Sequence, residues 1–321
     1  METISELRDR IVTIYTRLEA YINPVLKFLL MFITLLIING KLGYMSKLNN
    51  IVIVFGVSLI AAFLPMNAMV IFSALFIMAH LYKLSIQVAA VIGLVFVIMI
   101  VLYFRFSPKE AIATMLTPIL FMIKLPYLAV LMVGLFGGPL AFISVGCGTV
   151  VYYIVKFISD NSDKFSSSFS VESALSGFKV IIDDVLNNDT MIVMVISLSI
   201  IAILVNVIKR LSFDYSWYVA IAVGSIVGLI VVIIGSSAMD ADVSIAGALF
   251  SMLISAVLAT LVALFLHNVD YSRAEYVQFE DDDYFYYVKA IPRVTVRRAS
   301  SERRRSSRRR EEYYEDEEDF D

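Results

Sequence analysis

Residues 191–208 read MIVMVISLSIIAILVNVI, a run without a single charge. The hydrocarbon core of a bilayer is about 30 Å thick, and about 20 apolar residues in α-helix cross it. Two more runs of this kind follow at 217–235 and 243–266, joined by short polar links. Three apolar runs in succession decide the class. A chain in hydrocarbon must satisfy its own backbone, and a helix does so within one segment. The expectation is an all-α, polytopic membrane protein.

Composition agrees. Of the 321 residues, 60% are hydrophobic and 17% charged, and the mean hydropathy is +0.83. Soluble domains sit near 45–50% and about 25%. A soluble enzyme and a disordered chain are thereby excluded. Cys147 is the only cysteine, so no internal disulfide can form.

Moving toward the N-terminus, 140–157 and 88–104 read as further spans. Residues 51–82 are too long for one, since as a single helix they reach about 48 Å. Pro65 and Asn67 mark a split at Leu64–Asn67. Residues 25–39 form the first span, and Pro24 separates it from residues 1–22. There Ile4, Leu7, Ile11, Ile14 and Leu18 share one helical face, which predicts an interfacial helix. No cleavable leader is expected, because the first 20 residues have no apolar core. The stretch 111–157 is the least regular, carrying Pro118, Pro126, Gly134, Gly137, Gly138 and Pro139. It predicts two short segments, 111–123 and 127–138, before the span at 140. The total is about ten crossings, or eight if 111–138 re-enters on one side. A second interfacial helix is expected at 171–186. The resulting regions are 1–23, 24–158, an external loop at 159–190, 191–267, and two tail segments, 268–296 and 297–321.

Both counts are even, so the termini share a face. Placing both in the cytoplasm puts 18 Lys and Arg inside, among them Arg105, Lys109, Lys209 and Arg210, against six outside. Basic residues are retained on the cytoplasmic side. The expected location is therefore the cell membrane with both termini inside.

Small residues recur every fourth position in the last two spans: Ser216, Ala220, Gly224 and Gly228, then Gly247, Ser251, Ser255, Ala259 and Ala263. Such stripes let helix backbones approach closely. They predict a tight hairpin of these two helices, with Val231 and Val232 turned to lipid.

Gly- and Pro-interrupted spans are a pointer to a transporter binding region. Lys124 is the sharpest residue there. It lies at a turn beside Pro126, from which its stem can snorkel, or it contacts an anion in a water-lined cavity. Thr117, Tyr127, Ser144, Cys147 and Thr149 supply further polar groups. Asn67 is expected to cap the helix after Pro65, and His80 and Asn206 to be interfacial. No Asp or Glu falls inside a predicted span, which disfavours proton or sodium coupling. There is no phosphate loop, His-Glu-x-x-His pair or Gly-x-Ser-x-Gly elbow, so an enzyme is not expected. His80 and His267 are too far apart in sequence to suggest a metal site, and no cofactor is implied.

Beyond residue 270 the character changes. Ala274–Glu280 and Tyr284–Ile291 are rich in Tyr, Val and Phe around Asp281, Asp282 and Asp283, which predicts a cytoplasmic β-hairpin. Residues 297–310 hold eight Arg and one Glu, and residues 311–321 hold eight acids and no base. That composition predicts a disordered tail. Arg303, Arg304, Arg305, Arg308, Arg309 and Arg310 could meet anionic lipid or a cytoplasmic protein. Nucleic acid is disfavoured, because no aromatic platform accompanies them.

Four motifs carry a resemblance. They are Asn39-Gly40-Lys41-Leu42-Gly43-Tyr44, Phe104-Arg105-Phe106-Ser107-Pro108, Thr117-Pro118 with Leu125-Pro126-Tyr127, and Gln278-Phe279-Glu280-Asp281-Asp282-Asp283-Tyr284. Over most of 25–291 the chain resembles uncharacterised bacterial multispanning proteins, some labelled permease-like. The amphipathic start also resembles the connector helix of some ABC exporter permeases, which implies a separate ATPase subunit. The leading expectation is a transport-type subunit with its site near 117–149. The rival is a non-transporting scaffold or assembly factor that recruits cytoplasmic partners through hairpin and tail.

Overall fold

The computed structural model describes residues 2–165, 188–212, 214–266, 275–280 and 285–290. Its contacts group residues 1–19 with 265–321 as one unit and residues 20–264 as another. The helices are α1 (Glu2–Lys41), α2 (Ile51–Ala62), α3 (Met66–Leu84), α4 (Ile86–Phe106), α5 (Ala111–Met122), α6 (Pro126–Phe136), α7 (Phe142–Asp160), α8 (Ser162–Phe165), α9 (Asp189–Ile208), α10 (Ser216–Ala238) and α11 (Ile245–Leu266). Seven are long and apolar enough to cross a membrane: α1 from Arg17 onward, α3, α4, α7, α9, α10 and α11. The short apolar helices α2, α5 and α6 have 12, 12 and 11 residues.

The described surface is that of a protein solvated by lipid. Phe63 is 76% exposed, Val52 71% and Phe250 68%, and exposed Leu, Ile, Val and Phe recur along most of the helices. In water such a continuous apolar face would drive aggregation. Beside acyl chains it carries no such penalty, because lipid tails are as apolar as leucine. This is an integral, multi-pass membrane protein.

Among the described residues of 20–264 lie two large apolar cores and a small cluster of Tyr103, Ala111 and Cys147. One gathers Met31, Leu35, Met69, Leu81, Ile92 and Ile154 from α1, α3, α4 and α7. The other gathers Leu131, Val145, Leu198, Ile201, Val205 and Ile221 from α6, α7, α9 and α10.

Hydrogen bonds show which helix ends lie together. Tyr103, near the end of α4, donates to Asn67 Oδ1 at the start of α3, at 2.5 Å. Ser107 and Ser144 join the end of α4 to the start of α7, Oγ to Oγ at 2.8 Å. Asn206, near the end of α9, donates to the Gly137 carbonyl beyond α6 at 2.9 Å. At the opposite end, Asn39 Oδ1 meets His80 Nε2 at 2.8 Å, and Met45 N–H donates to His80 Nδ1 at 3.2 Å. His80 therefore accepts at Nδ1 and donates from Nε2. Asn39 in turn donates to the Leu48 carbonyl at 2.9 Å. Gly43, at φ 56°, takes the left-handed turn that this loop requires. The expected interfacial His80 is thus fully buried, a fixed strut under the α1–α2 loop.

Several boundaries differ from expectation. Residues 1–22 and 25–39 are not two elements, because α1 continues through Pro24. Proline removes one hydrogen bond and crowds the carbonyl four residues back. In a lipid-facing helix, breaking there would free several backbone groups at once, so continuation is the smaller loss. The 51–82 run does break, at Phe63–Pro65, with Pro65 opening α3. Asn50 and Asn188 cap α2 and α9, each side chain accepting a backbone N–H.

Strands β1 (Glu275–Glu280) and β2 (Phe285–Ala290) pair antiparallel, from Glu275 opposite Ala290 to Glu280 opposite Phe285. Their acidic link at 281–284, the expected helix at 171–186 and the arginine block lie outside the described residues.

The expected α10–α11 contact needs correction. A side chain at Gly224 would strike Val205 of α9 and approach Leu131 of α6. One at Gly228 would strike Ile201 of α9 at 2.6 Å and Met252 of α11 at 2.9 Å. The glycine stripe therefore serves α9 first and α11 second. Gly247 is exposed and touches only Ser244 of its own turn, and the buried face of α11 begins at Ala248. Ser251 and Ser255 are buried. Val232 is fully buried rather than turned to lipid.

Candidate functional site: a short helical hairpin and the cavity beside it

The local sequence explains why α5 and α6 form a hairpin. α5 ends in a Schellman turn: Leu125 N–H donates to the Leu120 carbonyl at 2.8 Å, and Lys124 N–H to the Phe121 carbonyl at 3.0 Å. Lys124 takes the left-handed conformation at φ 62° that this turn needs. Pro126 then opens α6 at its first position, where its missing N–H costs nothing. At 1.5 Å per residue each arm is about 18 Å long.

The two ends of the hairpin meet. Glu110, just before α5, accepts from Gly138 N–H, just after α6, Oε1 to N at 3.1 Å. α9 closes the same mouth. Asn206 Nδ2 donates toward the carbonyls of Gly134, Gly137 and Gly138 at 3.2, 2.9 and 3.3 Å. Lys209 Nζ donates to Leu135 and Gly137 at 2.7 and 3.0 Å. Gly134 and Leu135 lie in the last turn of α6, where carbonyls lack a helical partner, and Gly137 and Gly138 lie in the turn that follows. Burial, helped by Arg210 alongside and opposed by Glu110, pushes the Lys209 ammonium down to about 8. Asn206 is therefore not merely interfacial. It caps a neighbouring helix.

Glycines set how closely each arm packs. A side chain at Gly134 would collide with Val205 at 2.7 Å, fixing α6 against α9. One at Gly148 would collide with Thr117 at 2.7 Å and the Thr114 carbonyl at 2.9 Å, fixing α5 against α7.

The expected site residues divide. Lys124 is exposed at the hairpin tip, in the turn beside Pro126. Thr117 and Thr149 are fully buried and donate within their own helices, to Ala113 and Val145. Ser144 is engaged by Ser107, and Tyr127 is buried in the core of α6. Cys147 lines a cavity. Thr117 packs against Gly148, between Cys147 and Thr149, whereas Lys124 lies at the exposed hairpin tip. Among the described residues no group of His, Cys, Asp and Glu could hold a metal ion.

The cavity holds about 100 Å³ and lies between α1, α3, α4, α5 and α7. Its wall is almost wholly hydrocarbon. Thr114 lines it, and the buried Thr114 hydroxyl has no hydrogen-bond partner among the described residues. Asn67 does not cap α3 but accepts from Tyr103, whose ring also lines the cavity. Glu110 and Thr114 carry no signal in the sequence, and Lys209 counts there only toward the charge asymmetry. Glu110 lay outside every predicted span, and its mate Gly138 is 28 residues away.

Compared with family models, with curated proteins and with solved structures, the chain matches none of them.

Proposed function

We propose that this chain is the membrane-embedded, permease-like subunit of a transport system and that α5–α6 is a re-entrant hairpin forming part of its path. The observation that carries the reading is the Glu110–Gly138 contact. It brings both ends of a pair of half-length helices together, so the pair enters and leaves on one face. Backbone that turns at membrane depth is tolerated only where protein or a cavity surrounds it. Here α7 and α9 flank the hairpin, and a cavity lies against α5. On this reading α1, α3, α4, α7, α9, α10 and α11 cross, and the 12-residue α2 returns the chain from the far end of α1 to the level of Lys27, whose Nζ donates to the Leu64 carbonyl at 3.1 Å, which makes eight passages. Arg105, Lys109, Lys209 and Arg210 lie at the mouth end, and retention of basic residues on the cytoplasmic side supports a reading in which the mouth and both termini face the cytoplasm. The chain performs no chemistry of its own, and a separate cytoplasmic ATPase supplies the energy.

The second reading, a scaffold that recruits cytoplasmic proteins, draws on the β1–β2 pair and the charged tail. A strain lacking the chain separates the two. It is complemented with Glu110→Ala or with a truncation removing residues 271–321. Loss of growth and solute uptake with Glu110→Ala, and recovery with the truncation, supports transport. The reverse pattern supports the scaffold.

A further inference from the structure

We infer that the cavity between α1, α3, α4, α5 and α7 binds one chain of an anionic phospholipid, with the headgroup phosphate on Lys41. The inference deepens the transport reading by naming a ligand class, and its measurement needs no transport. Shape is the first argument. α1 contributes Thr34, Ile38 and Lys41, and α5 contributes Thr114, Pro118 and Met122. Both sets follow helical spacing along one face. α3, α4 and α7 each add a similar stripe. Five parallel stripes enclose a tube running along the helix axes, about 10 Å long from Thr34 to Lys41. An extended acyl chain has that form, whereas a compact polar solute does not.

Wall chemistry is the second argument. An apolar cavity of this kind stays dry and takes an apolar occupant. Seated in a bilayer, it has acyl chains as its nearest supply. Charge is the third. Lys41 closes α1 at the end of the tube, exposed and with no hydrogen bond or ion pair among the described residues. At the other end the tube is stopped by Tyr103, 1% exposed and tied to Asn67 and to the Pro108 carbonyl. A molecule with a hydrocarbon tail and one anionic head fits this polarity in a single direction.

The test uses the full chain in mild detergent and native mass spectrometry of retained lipid, with phosphatidylglycerol and phosphatidylcholine of identical chains. The native protein is expected to prefer phosphatidylglycerol by about fivefold, the factor one lysine beside an anionic headgroup supports. Lys41→Gln should bring that ratio close to one, and as an exposed substitution it leaves folding intact. Ala74→Leu, which fills the tube from α3, should lower retention of both lipids. A photoreactive group midway along one chain of bound phosphatidylglycerol should label α4, α5 or α7 near Tyr103, Thr114 or Cys147 in the unaltered protein. An unchanged preference in Lys41→Gln, or labelling confined to the lipid-facing side of α10, overturns the inference. Loss of lipid retention with normal uptake removes the lipid site alone. Retention without any uptake phenotype removes transport alone.

Discussion

The two apolar cores are built by opposite means. Around α6, α9 and α10, Gly134, Gly224 and Gly228 let helices approach until an added methyl would overlap Val205 or Ile201. Around α1, α3, α4 and α5, large side chains such as Phe96, Met99 and Met115 face one another and leave a cavity of about 100 Å³. One half is packed to the limit and the other is left hollow. The hairpin stands between them, with α6 set against the closed half and α5 lining the open one. Dispersion packing drives helix association in lipid, so the closed half supplies rigidity. The open half supplies room.

Substitutions of one kind should therefore have opposite outcomes in the two halves. The largest effect is expected for Gly224→Leu and Gly228→Leu, each destabilising by about 1–3 kcal/mol through overpacking. Ile226→Leu and Ile234→Leu are the controls, since those residues are 61% and 62% exposed. Thermal unfolding in detergent measures this, and equal midpoints for both sets would break the contrast. Ala74→Leu in the hollow half should leave the midpoint unchanged or raise it.

Next is Asn206→Leu. It removes the side-chain donor from the carbonyls of Gly134, Gly137 and Gly138; Gly137 keeps Lys209 and Gly138 keeps the Ala141 N–H, so the loss of about 1 kcal/mol falls mainly on Gly134. Accelerated hydrogen exchange confined to residues 126–141 would locate the damage at the hairpin mouth.

How much of this was legible in the sequence follows from the range of each interaction. Apolar runs and prolines are local, so the helical membrane class, the break before Met66 and the two short helices could all be read. The α1 boundary misled because Pro24 breaks helices in water but is tolerated in a lipid-facing span. The glycine stripe was visible, yet its partner was not, since Gly224 packs against Val205 across a chain separation that no periodicity encodes. The mouth was invisible for the same reason. Glu110, Asn206 and Lys209 find their partners 28 to 74 residues away.

A smaller effect should follow pH. The Lys209 ammonium in the folded chain is held near 8, below its ordinary value of 10.5. Between those values the unfolded chain binds more protons, so stability rises with pH through that window. The neutral amine still donates to Leu135 and Gly137. The native midpoint, measured relative to Lys209→Gln, should climb modestly from pH 8 to 10.5, and a flat difference would show an unshifted lysine. The smallest expected gain is Lys124→Gly, which relieves a left-handed non-glycine residue by about 1 kcal/mol and leaves uptake unchanged.

The most direct test of the re-entrant hairpin is side-specific labelling in sealed vesicles. Cysteines replace Lys109, Leu140, Lys124, Lys47 and Asp240 one at a time, in a chain carrying Cys147→Ala. Lys109 and Leu140 should react with a membrane-impermeant maleimide from one face, and Lys47 and Asp240 from the other. Position 124 should stay unreactive from the Lys47 face. Reaction of position 124 from that face, as readily as position 47, would mean that α5 and α6 cross the membrane, contradicting the account.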